Sequence, residues 1–466
     1  MNSVVRVGRI SVNMALLERV RQVVMCIAIA LLVVYVKPFP VAMAVGSLLG
    51  IVYVALAWRQ IEWRDWWVLV LLEVFYLIAV LNVRGELDPN MHFNTNWAEL
   101  QLGFLLIPFM FIGLRPKKSW GTVWVWSCFA ILTLGLLVAT YFSFQTVDGE
   151  VRFIPYSLEY YEYLSGSSWK ALRGGFSYYS YTAFARNVGA WPMYMSYCFV
   201  VAMLIVLHRL YRDKNRVWVR ILLCVYFSIG VFLCNARMMY VCLALLGGMV
   251  FLRMLVKSSY RPVPMYALLA LMVGVAVLFL FGSRGGVVRM STAEEGSKKT
   301  VAKLFEAMVL KDYRINLWVR TWQERDAFLP WGLGSGECGT FIKEHYYDKY
   351  GDLYGNHYEN LEDRKESTIV KMHNMCIDTV VEQGYLGLLY LLFMLVLPLT
   401  RAKRIKFVHV LLYVSLLVLI MFESVVYSDL AIYYFCMVYC AVIAYSVGAS
   451  PKGTTATLDV DGKVAI

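Results

Sequence analysis

Charged residues are scarce in this chain: Asp, Glu, Lys and Arg make up 16% of its 466 residues, against 60% apolar residues. A soluble domain carries about 25% charged residues, so a water-facing surface is excluded over most of the length. The ten cysteines include no CxxC pair and no Cys/His cluster at zinc spacing, which excludes zinc ribbons and dithiol redox motifs. Most of them lie inside apolar runs as small core residues; Cys338 and Cys376 do not, and a bridge between these two stays open. No segment repeats, inverted or parallel, as many transporter halves do. The N-terminus lacks a small-residue cleavage site after a short apolar core, so the first apolar run, "VVMCIAIALLVVYV", reads as a retained span.

What the chain does have is long apolar runs. Stretches long enough to cross a bilayer fall at about 22–36, 39–57, 66–83, 99–114, 119–142, 188–208, 217–234, 238–256, 265–282, 384–400, 406–427 and 430–448. The expectation is an all-α polytopic membrane protein of about twelve spans, with both termini cytoplasmic. Its formal net charge of +12 could suggest a nucleic-acid partner, but the distribution argues otherwise. With the N-terminus inside, about 23 of the 44 Lys and Arg fall in cytoplasmic loops against about 6 acidic residues. The short loops "RPKK", "HRLYRDKNR" and "RAKRIK" carry the bias, so the basicity reports topology and no nucleic acid is expected.

The spans divide the chain into residues 1–282 with spans one to nine, 283–372 as an external insert, 373–448 with spans ten to twelve, and a polar, disordered cytoplasmic tail at 449–466. The loop near 146–186 is rich in tyrosine and has two open readings, an interfacial aromatic belt and a glycan-contacting surface. The insert holds about 14 basic and 14 acidic residues, the balance of a folded segment. Within it "TVAKLFEAMVL" and "INLWVRTWQERDAF" have the spacing of amphipathic helices. "LPWGLGSGECG" interrupts them with Pro330 and four glycines, which is turn chemistry.

Several residues here are of types that carry chemistry. Arg237 lies in "FLCNARMMYVC", where two apolar runs meet at the outer face. It reads either as a snorkelling arginine or as an anion site, since a guanidinium forks onto two phosphate oxygens. Glu423, near the outer end of span eleven, is its expected partner, whereas Glu73 is nearer mid-membrane and reads as interhelical. Arg314 and Trp318 are four apart and share a helix face; Arg320 and Glu324 have the spacing of an ordinary surface pair. His373 opens "HN–x9–GYLGL", just outside span ten, and the small residues Gly384 and Gly387 would let another backbone approach closely. An imidazole at that height suits removal of a proton from an attacking hydroxyl. "RGELDPN" offers Glu86 and Asp88 as carboxylates for a divalent metal, or simply as turn residues.

Three of these stretches, taken in order, resemble the O-antigen ligase and O-antigen polymerase superfamily: "NARMM" at the junction of two spans, "RINLW" followed by "LPWGLGSGECGTF", and "HN–x9–GYLGL". Where the family commonly has a Ser/Thr-Arg pair, this chain has Ala236–Arg237. The resemblance implies a GT-C-like fold with a large, mostly helical periplasmic insert between spans nine and ten. It implies an inverting, metal-independent and cofactor-free transfer of a glycan from undecaprenyl pyrophosphate to an acceptor hydroxyl at the periplasmic face of the bacterial inner membrane. The acceptor is lipid A–core for a ligase, or a lipid-linked repeat unit for a polymerase, and the HN spacing leans towards ligase. A flippase of lipid-linked sugars is the non-enzymatic alternative. By the same resemblance His373, Arg314 and Arg237 are the catalytic candidates; beside them Arg320, held in reserve, Asn374 and Trp318 are substrate-binding candidates.

Overall fold

The structure is a computed structural model, and it describes residues 4–7, 10–59, 61, 66–83, 101–114, 117–147, 149–153, 184, 192–212, 216–234, 236–256, 313–342, 345, 372–400, 407–425 and 429–448. Its elements run β1 (Val4–Val7), β2 (Ile10–Asn13), α1 (Met14–Val34), α2 (Phe39–Ala57), α3 (Trp66–Leu81), α4 (Leu102–Phe111) and α5 (Lys118–Phe142). These are followed by β3 (Phe144–Val147), β4 (Glu150–Phe153), α6 (Pro192–Arg212), α7 (Val217–Cys234), α8 (Arg237–Val256) and α9 (Tyr313–Gln323). After a 3-10 turn at Arg325–Ala327 come α10 (Cys338–Ile342), α11 (Met375–Thr400), α12 (Phe407–Phe422) and α13 (Asp429–Gly448).

Every apolar run that falls on described residues folds as a helix; the ninth, the tail and the helix expected in "TVAKLFEAMVL" lie outside them. Among the described residues, five helices are long and apolar enough to cross a membrane: α2, α5, Pro192–Leu210 of α6, α7 and Met375–Pro398 of α11. Shorter apolar helices accompany them at Trp66–Leu81, Leu102–Phe111, Met238–Val250, Phe407–Phe422 and Leu430–Ala444. The chain is thus mostly helical, with the build of a polytopic membrane protein. The all-α expectation needs one correction, because β1–β2 and β3–β4 are antiparallel hairpins. The second was signalled by the Asp-Gly dipeptide of "TVDGEV", a turn that matches strand twist. Most of the Tyr-rich loop lies outside the described residues, but Phe184 is buried against α5 beside Gly135.

The helices sort by how much apolar surface they bury. On α13, residues Leu430–Cys440 are buried without interruption, and Tyr194–Leu204 of α6 are buried likewise. A helix that is apolar all round belongs in a core, and these two occupy it. On α2, by contrast, Val41, Val45, Leu48 and Val52 recur at three- and four-residue spacing and are exposed, the face that acyl chains would cover. In an apolar surrounding, polar groups stabilise helix contacts only when paired. Tyrosine hydroxyls meet this need: Tyr434 donates to the Leu32 carbonyl (2.8 Å), Tyr439 to Met394 (2.7 Å) and Tyr390 to Leu71 (2.9 Å). Ser47 of α2 donates to Leu106 of α4 at 2.7 Å.

Candidate functional site

Three distant segments meet at one end of the bundle: α9 from the insert, the turn 372–374 before α11, and residues 422–425 that end α12. Helix α9 forms because "YRINLWVRTWQ" puts Arg314, Leu317, Trp318 and Thr321 on one stripe. Leu317 and Thr321 are buried, while Val319 and Trp322 on the other side are exposed. Along that stripe the Trp318 indole N–H donates to the Met372 carbonyl at 2.6 Å, and the Thr321 hydroxyl lies 3.5 Å from the Met372 sulfur. The Trp318 ring also packs at 6.1 Å from Phe422. Arg314 Nη1 approaches the Phe422 carbonyl at 3.5 Å, a weak hydrogen bond by distance. Arg314 and Trp318 thus lie on one face of α9, as their four-residue spacing places them. Arg320 is half-buried near the end of the same helix.

His373 is held by its backbone. Its φ is 53°, the left-handed region that a non-glycine residue occupies at a cost of about 1–2 kcal/mol. Its N–H donates to Ser424 Oγ at 2.7 Å, and Ser424 is fully buried. Next to it, Asn374 Oδ1 accepts from the N–H groups of Cys376 (2.9 Å) and Ile377 (3.2 Å), the pattern of an N-cap on α11. Asn374, expected to bind substrate, thus has its carbonyl oxygen engaged in capping. The His373 imidazole is 24% exposed, and its Nδ1 lies 3.8 Å from Glu423 Oε2, on a side chain 15% exposed. Glu423 was expected to pair with Arg237. Arg237 opens α8, a helix that packs against α12, and its side chain lies outside the described residues.

Below the turn, α11 carries a second, buried polar row. Asn374, Asp378 and Glu382 recur every fourth residue and are all buried, and the last two meet the segment of the glycine-rich turn. Glu382 Oε1 accepts from the Gly336 N–H at 3.0 Å, and the Cys338 thiol lies 3.7 Å from Asp378 Oδ1. Burial, reinforced by the Asp378 and Glu382 carboxylates, pushes the Cys338 thiol well up from its ordinary value. All ten cysteines are free, so Cys338 and Cys376 are not bridged.

Where the sequence suggests one continuous helix, α11 breaks at Gly384 (φ 63°, ψ −155°). The turn lies across the break: Leu333 N–H donates to Val381 O (2.9 Å), Gly334 N–H to Glu382 O (3.0 Å), and Tyr385 N–H to Pro330 O (2.9 Å). Carbonyls freed by the break are therefore satisfied by the turn, as buried backbone groups must be. Asn82 of the α3 end adds a donor to Glu382 O at 2.5 Å and accepts from Ser335 N–H at 3.0 Å. The close backbone approach expected at the small residues occurs at Gly384. At Gly387 the neighbour is instead the Gln383 side chain of the same helix.

Among the described residues, no group of three or more His, Cys, Asp or Glu is arranged to hold a metal. Glu86 and Asp88 lie outside the described residues. Sequence reasoning missed the meeting of Glu423 and Ser424 with His373, because about 50 residues separate them. The Asn374–Asp378–Glu382 row was legible as an every-fourth-residue pattern. No curated protein matches the chain. Residues 222–392 match a family model described as O-antigen ligase.

Proposed function

We propose, from the match of residues 222–392 to a family model described as O-antigen ligase, that the chain belongs to the O-antigen ligase and polymerase superfamily and transfers a glycan from undecaprenyl pyrophosphate to an acceptor hydroxyl. The reaction takes place at the periplasmic face of the inner membrane, and the acceptor is lipid A–core. The observation that carries this reading is the convergence of Arg314, Trp318 and His373 beside the end of α12. An imidazole 24% exposed at the head of an apolar helix stands where a lipid-linked pyrophosphate would present its sugar.

In the proposed mechanism His373 removes the proton of the acceptor hydroxyl as its oxygen bonds the anomeric carbon. The bond from that carbon to the pyrophosphate breaks, and undecaprenyl pyrophosphate leaves. A single displacement inverts the anomeric centre. Arg314 and Arg237 offset the charge that grows on the leaving group, with Arg320 and Trp318 lining the approach. A positioned general base contributes on the order of a hundredfold to ten-thousandfold in rate. No metal enters the scheme.

The test is reconstitution of the purified chain with a lipid-linked donor and either lipid A–core or a second lipid-linked unit, with and without EDTA. Product on lipid A–core that withstands EDTA is expected. Chain extension on the lipid-linked acceptor alone would make it a polymerase. Failure to convert either acceptor would return the reading to transport.

A further inference from the structure

We infer that Glu423 is the positioning residue for His373: its carboxylate holds Nδ1 of the imidazole so that Nε2 faces the acceptor hydroxyl. The inference rests on the reading of His373 as the general base, and it assigns a role to a residue beyond the family-matched segment, which ends at 392.

The first ground is register. Glu423 and Ser424 are adjacent, and they reach His373 at two points: Ser424 Oγ receives its backbone N–H at 2.7 Å, and Glu423 Oε2 stands 3.8 Å from its Nδ1. A backbone bond and a side-chain approach from consecutive residues leave the ring little freedom to slide along α12. The second ground is the left-handed backbone at His373, with φ 53°. Such a conformation persists only where its surroundings over-determine it. The Ser424 hydroxyl on one side and the Asn374 cap on the other do so. The third is exposure: Glu423 is the more buried partner, at 15% against 24%, so the ring is the more open of the two to an incoming substrate.

The chemistry follows from what each group can accept. A neutral imidazole carries one N–H, and an ionised carboxylate only accepts. Beside Glu423 the proton belongs on Nδ1, which leaves the lone pair on Nε2 for the substrate. As the acceptor hydroxyl gives its proton to Nε2, the ring becomes an imidazolium beside a carboxylate, and Glu423 itself takes no proton. The 3.8 Å separation exceeds a direct hydrogen bond, and such pairs often tighten only once substrate is bound.

The test measures steady-state transfer by the full-length protein in proteoliposomes. Glu423→Gln keeps the size and removes the charge. It is expected to lower kcat by roughly tenfold to a hundredfold with both KM values unchanged, and Glu423→Asp is expected to fall between it and the native protein. In a His373→Ala background, Glu423→Gln should cost nothing further, because a group that acts only through His373 has nothing left to act on. Native kcat in Glu423→Gln, an effect confined to KM, or an undiminished loss in the His373→Ala background would each overturn the inference. If Glu423→Gln does not fold, equal kcat for Glu423→Asp and the native protein overturns it. Full activity of His373→Ala would sink the base reading itself, whereas an inactive His373→Ala beside a fully active Glu423→Gln sinks this inference alone.

Discussion

Replacing Gly384 with alanine puts a methyl group into the contact between the glycine-rich turn and the break in α11. A Cβ there would stand 2.5 Å from the Trp331 carbonyl carbon and 2.7 Å from the Gly332 nitrogen, both backbone atoms that cannot rotate away. The backbone at φ 63°, ψ −155° is also a conformation essentially limited to glycine. Forcing an alanine into it costs about 1–3 kcal/mol, and overpacking adds about 1–3 kcal/mol. If the turn moves away instead, the bonds from Leu333, Gly334 and Tyr385 are lost together, each contributing about 0.5–1.5 kcal/mol. The first route removes roughly 2–6 kcal/mol and the second about 1.5–4.5 kcal/mol. Thermal unfolding in detergent should show a clearly lower midpoint for Gly384→Ala. Gly332→Ala should behave alike, since its Cβ would lie 2.6 Å from the Gln383 nitrogen at φ 81°. The double variant should be less than additive, because both break one contact. Gly248→Ala, in a helix with nothing within 4 Å, is the control and should be neutral or slightly stabilising. A Gly384→Ala protein that melts with the control would refute the argument that this break is held by close backbone packing.

Three further outcomes can be checked. His373→Asn should fold better than His373→Ala, because asparagine tolerates the left-handed backbone, yet both should lose about a hundredfold or more in kcat; a native rate in either variant removes the base assignment. Asn374→Ala should lower stability by about 0.5–2 kcal/mol through loss of the cap, and Asn374→Asp should restore it; equal melting of all three proteins would deny the cap any weight. Cys338 should resist alkylation at neutral pH until the protein is unfolded, since its thiol is fully buried and pushed up by desolvation and two acidic neighbours; rapid labelling of the native protein would contradict its placement.

The motif residues were legible unevenly, and the reason is range. Arg314 and Trp318 could be read because four-residue spacing places them on one helix face, whereas Asn374 was expected only to bind substrate and its cap on α11 emerged from the structure. Gly384 was legible as a point of close approach, but its role as a break in α11 was not, since the partner backbone at 330–334 comes from another segment. Glu423 was legible as an acid at a span end and was matched to Arg237 by depth, whereas its approach to His373 depends on a contact across 50 residues that no local pattern records. The hairpin at 144–153 was missed because the apolar signal of the spans overshadowed a two-residue turn motif.

Where the helices lie, and that most of them are made for a lipid surrounding, follows from local sequence. Hydrophobic periodicity and run length are local properties, and the cost of an unpaired backbone in lipid leaves few alternatives to helix. Which polar groups meet depends on how the helices come together. His373 is seated by Ser424, approached by Glu423 and flanked by Trp318 through contacts that span 50 residues or more. Such contacts arise from how the helices pack around α6 and α13, and packing is a property of the whole bundle that no single stretch encodes.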